Sequence, residues 1–318
     1  MKVFLSVIFI LVASAVSQVT SANNKCSDLF VDDSPSQFET WSKSLMKSLL
    51  EVEPARFTKG KYADAEIDQS RARPIQRIPE LETETHYFVK HFYHQGKFWI
   101  ARIPKLSMRD MMVHIVRFKS GFPGKNLVHA QLRFITDEPV ILSRLKNGEI
   151  VQTEIRDFIF TIEAARPRGH PYSGLDAVNG NYGIVGRLVS TFDRAYVEEI
   201  LDNDQITQRR LTNVANAEIN KILSDAIDWS TQKLFTLRYD STEANCVNLL
   251  FDIIDDSLQI NGPRLLTPTW KVVFSGGNSV ENWALQALEN RGLLGPNSEL
   301  PDYQRVHRKS SQEKKSAQ

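Results

Sequence analysis

Two side chains in this chain have the right chemistry to act together on a carbonyl group: the thiol of Cys246 and the imidazole of His129. Cys246 stands where a polar run containing Thr242 and Asn245, both able to cap a helix, passes into Leu249, Leu250, Ile253 and Ile254 at helical spacing. A thiol in the first turn of a helix faces unpaired backbone N–H groups and the positive end of the macrodipole. Both favour thiolate over thiol, and the thiolate is the nucleophile. Around His129, alternation over Leu127–Phe134 sets Val128, Ala130, Leu132 and Phe134 on one strand face and His129, Gln131 and Arg133 on the other. An imidazole on that face would titrate near neutrality, as a general base must. Each residue also has a plainer reading. His129 is then a surface histidine, and Cys246 is bonded to Cys26, the second of the two cysteines, tying the N-terminus to the core.

Other groups make poorer sites. His86, His91 and His94 are close in sequence, but strand alternation sends His86 and His91 to opposite faces, His94 falls at a turn, and no ligand-spaced cysteine accompanies them. His114 lies in an apolar run and reads as a satisfied core residue, and Asp252, Asp255 and Asp256 read as the solvated side and end of a helix. Gly276-Gly277 lacks the Lys-Ser/Thr of a phosphate loop.

The elements that must hold Cys246 and His129 can be read from pattern. Residues 34–52 read as an amphipathic helix with Phe38, Trp41, Leu45, Leu49 and Leu50 on one side; a hairpin follows, Glu84–Tyr93 and Phe98–Ile103 turning at Gln95-Gly96-Lys97. Leu106–Ile115 is ambiguous between helix and strand, and Ser120–Gly124 marks a boundary. Strands are expected at Val128–Phe134, Pro139–Ser143, Val151–Ala164 and Val185–Ser190, then helices at Arg194–Leu201, Thr212–Leu234 and from Cys246, a strand at Trp270–Phe274, and a last helix through Leu293. Strands grouped ahead of helices imply an α+β fold.

Composition sets the compartment and excludes some partners. Met1-Lys2 followed by the apolar run Val3–Val16 and the small residues to Ala22 reads as a secretory signal, residues 1–22, too short to span a bilayer. The expected product is exported and extracytoplasmic, with no transmembrane segment after cleavage. Lys plus Arg number 39 against 38 acidic residues, a balance that gives no ground for a nucleic-acid partner. The expected divisions are an accessory region at 23–120, a domain carrying the chemistry at 121–300, and a disordered basic tail at 301–318.

Three segments together resemble a known family. His129-Ala130 with Leu132-Arg133-Phe134, then Glu163-Ala164-Ala165-Arg166 with Gly169, then Asn245-Cys246 with Leu249-Leu250, occur in that order. The stretch from about Leu127 to Asp256 resembles DUF4105, the Lnb N-terminal periplasmic domain family, and its motif order is similar to circularly permuted papain-like NlpC/P60 and lecithin:retinol acyltransferase-type thiol enzymes. That resemblance implies a permuted papain-like core of antiparallel sheet plus helices, and a cysteine hydrolase or acyl/amide transferase without metal or organic cofactor. It gives Cys246 as nucleophile, His129 as base and Glu163 as the residue orienting the imidazole, with Gln152 and Glu154 as rivals for the third place. Asn245 and Arg133 become candidate oxyanion or substrate contacts. The periplasm is the compartment that the resemblance implies, and substrates there would be peptidoglycan peptides, proteins or lipid acyl groups. The alternative is a non-catalytic periplasmic binding or envelope-assembly module stapled by Cys26–Cys246. Paired carboxylates for carbohydrate hydrolysis are not evident.

Overall fold

The computed structural model describes residues 43–117, 128–195, 205–239, 244–259 and 285–298, Ala287 excepted. The expected signal sequence, Cys26, the start of the first helix, the Gly121 loop, Thr242, the Trp270–Phe274 strand and the basic tail lie outside the described residues. In chain order the elements are α1 (Lys43–Leu50), β1 (Gln76–Arg77), β2 (His86–His94), β3 (Lys97–Pro104), β4 (Met108–Arg117), β5 (Val128–Lys146), β6 (Glu149–Ala165), α2 (Gly174–Val178), β7 (Tyr182–Ser190), α3 (Thr191–Ala195), β8 (Gln205–Leu211), α4 (Asn216–Lys233), β9 (Arg238–Tyr239), α5 (Cys246–Ser257) and β10 (Leu294–Ser298).

Local sequence explains the two long hairpins. Gln95-Gly96 (φ 49° and 70°) joins β2 to β3, and Asn147-Gly148 (φ 53° and 80°) joins β5 to β6. Consecutive positive φ values are what a tight two-residue hairpin turn demands, because its twist matches that of the flanking strands. The β5–β6 hairpin takes in residues 138–157, between the His129 and Glu163 segments. A register shift between Ile135 and Val140 bends it without breaking it, so the two strands expected at Val128–Phe134 and Pro139–Ser143 are one.

The strands form one mixed sheet in the order β1-β2-β7-β6-β5-β4-β8-β10, and β3 bridges β2 to β5. The ring β2–β3–β5–β6–β7 is therefore closed by hydrogen bonding, through a parallel contact of Tyr93 with Val189. The fold is mixed α+β, a large sheet with few helices. The boundary expected near residue 120 does not separate one body from another: β4 pairs with β5 from Arg117–Val128 to Met111–Phe134, and β3 pairs with β5 at Ala101–Leu142. A strand edge left unpaired inside one region needs the other to complete it.

One face of the sheet is apolar and carries the helices. Ile219, Ile222, Leu223, Ala226 and Ile227 of α4 and Val247, Leu250, Phe251, Ile253 and Ile254 of α5 form one buried cluster with Ala130, Leu132, Phe160, Ile162 and Ile184. Each such side chain contributes about 1.5–3 kcal/mol on burial, which fixes α5, and hence Cys246, against β5 and β6. The opposite face follows by alternation. Along one row across five strands it presents Gln208, His114, Gln131, Thr161 and Arg187, all buried.

Candidate active site

Cys246 is the first residue of α5. Asn245 before it has extended backbone, and its side-chain oxygen accepts from the N–H groups of Val247 and Asn248, each at 2.9 Å. Asn245 is thus the helix cap, which occupies its oxygen with positioning the thiol. β5 and β6 are in register only as far as Gln131–Thr161; beyond that pair the amide of Ala130 meets the Cys246 sulfur instead. Burial pushes the thiol above its ordinary range, against the pull of Ala130 N–H, the Tyr239 hydroxyl at 3.9 Å, and the N–H groups of Cys246 and Val247. Here desolvation outweighs the helix-start donors that the sequence suggested would activate it. Cys246 is a free thiol, 4% exposed; its expected disulfide partner Cys26 lies outside the described residues.

His129 is on the other face. Its Nε2 lies 2.7 Å from Thr161 Oγ1, and its side chain is buried among charges. Burial first, then Arg194 and Arg187, press its pKa down to about 3, with Glu163 opposing them. Continuing the Gln131–Thr161 register sets His129 opposite Glu163. Glu163 is gripped by two guanidinium groups, Arg187 Nη1 to Oε2 at 2.6 Å and Arg194 Nη1 to Oε1 at 2.8 Å. Burial would raise its carboxyl, but Arg187 and Arg194, helped by His129, pull it to about 2. The imidazole is therefore neutral but, in this resting position, a weak proton acceptor, far below the near-neutral titration that its place on the strand suggested.

The structure therefore brings His129 and Glu163 together and sets Cys246 one residue along β5, on the opposite face. Among the described residues no hydrogen bond joins the thiol to His129. Gln152 and Glu154, the rivals for the third role, lie in the outer part of the hairpin and are exposed, with Gln152 donating to Ser143 Oγ at 3.2 Å. Arg133 is committed to Asp157 and to Gln208 Oε1 (2.9 Å), on the His129 face. His114, expected to be satisfied, is half so: Nε2 meets Gln208 Oε1 at 3.0 Å, and Nδ1 has no partner.

Sequence reasoning passed over two groupings. The first is the tyrosines around the thiol: Tyr239, and Tyr172, whose hydroxyl is pushed up to about 12 by burial and by Cys246 and Tyr182. The second is His94, Ser190 and Asp193, the residue types of a hydrolase triad. His94 is buried at its turn, but the same nitrogen, Nδ1, faces Ser190 Oγ (3.0 Å) and Asp193 Oδ2 (3.5 Å). A relay needs the two opposite nitrogens. Ser190 Oγ instead accepts from Asp193 N at 3.3 Å, the contact of a helix cap on α3.

No family model, curated protein or solved structure matches the chain. Among the described residues no group of three or more His, Cys, Asp or Glu could hold a metal ion, and no helix is long and apolar enough to cross a membrane.

Proposed function

We propose that this chain is an extracytoplasmic cysteine hydrolase or acyl/amide transferase with a DUF4105-like, permuted papain-like core. Cys246 is the nucleophile, His129 the base and then the acid, and Glu163 the group that orients the imidazole. The observation that carries the reading is the convergence on one sulfur, at the head of a capped helix, of the N–H groups of Ala130, Cys246 and Val247 and the hydroxyl of Tyr239. The same donors that meet sulfur can meet the oxygen of a tetrahedral intermediate. In the reaction the sulfur attacks the acyl carbon of a peptide, amide or ester, and the thiol proton passes to His129. The C–N or C–O bond breaks as that proton goes to the leaving group, and water or an amine then releases the thioester. In this reading His129 must first leave Thr161.

The test is covalent trapping. The protein exposed to p-nitrophenyl acyl esters should carry an acyl group on Cys246 by mass spectrometry, and His129→Asn should suppress it. If the folded protein forms no adduct while the urea-unfolded chain does, the reading fails.

A second reading, a non-catalytic envelope binding module, is favoured by one observation: the thiol is almost wholly buried and shifted upward. It predicts that Cys246→Ala changes stability alone.

A further inference from the structure

Next to the thiol lies a receptor that the proposed reaction does not use. Tyr62 and Tyr182 stack with ring centroids 6.2 Å apart and planes 8° from parallel, and Tyr172 leans on Tyr182 at 5.5 Å. Asp176 completes the group. It accepts from Tyr62 Oη at 2.7 Å and from Asn181 Nδ2 at 3.1 Å. Into this group reaches one cation, Lys61: its Nζ is 2.8 and 3.0 Å from the two Asp176 oxygens and 5.0 Å from the centroid of Tyr62.

The burial of the pair is unequal. The Asp176 side chain is 8% exposed and the Lys61 side chain 56%. A carboxylate walled by tyrosines is a fixed receptor; a lysine that is mostly in water is an occupant that can leave at small cost. The turn that presents it is built for this position. Gly60 has φ 87°, and a Cβ there would collide with the guanidinium of Arg238, which neighbours Tyr239 on β9. The receptor and the thiol also share walls: Tyr182 pairs with Tyr239 across β7 and β9, Tyr239 Oη lies 3.9 Å from Sγ, and Tyr172, 56% exposed, is close enough to Cys246 to feel its charge.

We propose that Asp176 and Tyr62, the latter backed by the buried Tyr182, form a binding site for a primary alkylammonium group, that Lys61 is its resident occupant, and that a substrate presented to Cys246 carries a lysine-like amine. The last clause rests on the thiol-enzyme reading; the ammonium site itself does not. An incoming ammonium displaces Lys61 into solvent, keeps both Asp176 contacts and the face of Tyr62, and brings its attached chain past the exposed Tyr172 toward the sulfur.

The experiment uses the full chain and n-butylammonium chloride, with equal potassium chloride as control. Binding is followed by ligand-observed NMR and by the thermal midpoint. Lys61→Met should bind at least about tenfold more tightly than the wild type, because the competing ammonium is gone. Asp176→Asn added to Lys61→Met should abolish the gain. Saturating butylammonium should also change the rate at which iodoacetamide labels Cys246 in Lys61→Met. Lys61→Gln provides the same test in a second side chain should the methionine variant not fold. Equal affinity in wild type and both Lys61 variants, or binding indifferent to Asp176→Asn, overturns the site. An unchanged labelling rate overturns its link to the thiol. Neither readout needs turnover, so a missing acyl adduct would count against the enzyme reading without touching the ammonium site.

Discussion

Cys246 and His129 attach to neighbouring points of β5 from opposite sides: the sulfur meets the N–H of Ala130, while the imidazole of the preceding residue turns to Thr161 Oγ1 at 2.7 Å. Two residues adjacent in a strand point to opposite faces, so their closeness along the backbone does not make them a proton-transfer pair at rest. The resting protein thus holds a protonated, buried thiol and a neutral imidazole, and any activation requires the His129 ring to move.

This arrangement makes the resting thiol slow. At pH 7 iodoacetamide should label Cys246 at least about tenfold more slowly than a cysteine in the unfolded chain, since only the thiolate reacts. His129→Asn should leave that rate within about twofold, because Thr161 and not Cys246 holds the imidazole. Tyr239→Phe should slow it further by removing a donor to the thiolate. A His129→Asn protein labelled much more slowly than the wild type would show the two groups already coupled.

Acid should unfold this protein early. His91, His114 and His129 have pKa values lowered by burial to about 4, 3 and 3, below the ordinary 6.5. As pH falls below about 6.5 the unfolded chain takes up protons that the folded one refuses. Stability is therefore full above that value and drops by at most about 1.4 kcal/mol per pH unit for each histidine. Glu163 works in the same direction lower down: its folded pKa near 2 lies below the ordinary 4.5, so its contribution is present above 4.5 and fades as pH falls toward 2. Urea unfolding between pH 4.5 and 7 should show the loss, and His114→Gln should flatten the slope. A midpoint independent of pH would mean that the histidines are solvated.

Much of this framework is written in local sequence. The Gln95-Gly96 turn and its two strands follow from alternation and turn chemistry, and the Cys246 helix with its Asn245 cap follows from residue type and spacing. Asn147-Gly148 was as legible a hairpin signal, yet the bent strand before it broke the alternation at Ile135 and read as two short pieces. The site was harder to read because its logic is non-local. Alternation correctly put His129 and Ala130 on different faces, but only the packing of α5 against Ala130 reveals that the thiol comes to the apolar one. Helix-start chemistry argued for a low thiol pKa, and burial, which is set by tertiary packing, reversed it. Tyr239 and Tyr172 carry no motif; they gather at the sulfur through β9 pairing with β7 and through the loop before α2.

Glu163 should be among the costliest side chains to truncate. Glu163→Ala would leave Arg187 and Arg194 buried without their carboxylate, with a loss of about 3–5 kcal/mol in chemical denaturation. Glu66→Ala, which breaks the more exposed pair with Arg168, should cost no more than about 1 kcal/mol. Equal effects would show that the Glu163 clamp is wet.

Gly186 marks the closest approach of a helix to the sheet. A Cβ there would stand 2.8 Å from Cβ and Oγ of Ser230 and 3.3 Å from the Trp229 ring, and Ser230 Oγ donates to the Gly186 carbonyl oxygen at 2.9 Å and to that of Ile75 at 3.1 Å. With β7 on one side and α4 on the other, both packed to their neighbours, there is little room to yield. Gly186→Ala should therefore cost about 1–3 kcal/mol by overpacking. Ser230→Gly removes the clashing atoms but also a buried hydrogen-bond donor and about 0.5 kcal/mol of helix propensity, so alone it destabilises too. Placed in the same chain, the two changes should cost less than their sum, because the cavity left by one receives the methyl of the other. Thermal or urea unfolding of the four proteins measures this directly. Strict additivity would mean that α4 had already moved away from β7 in the single variant, and that the contact which seats the helix layer over the site is softer than these distances indicate.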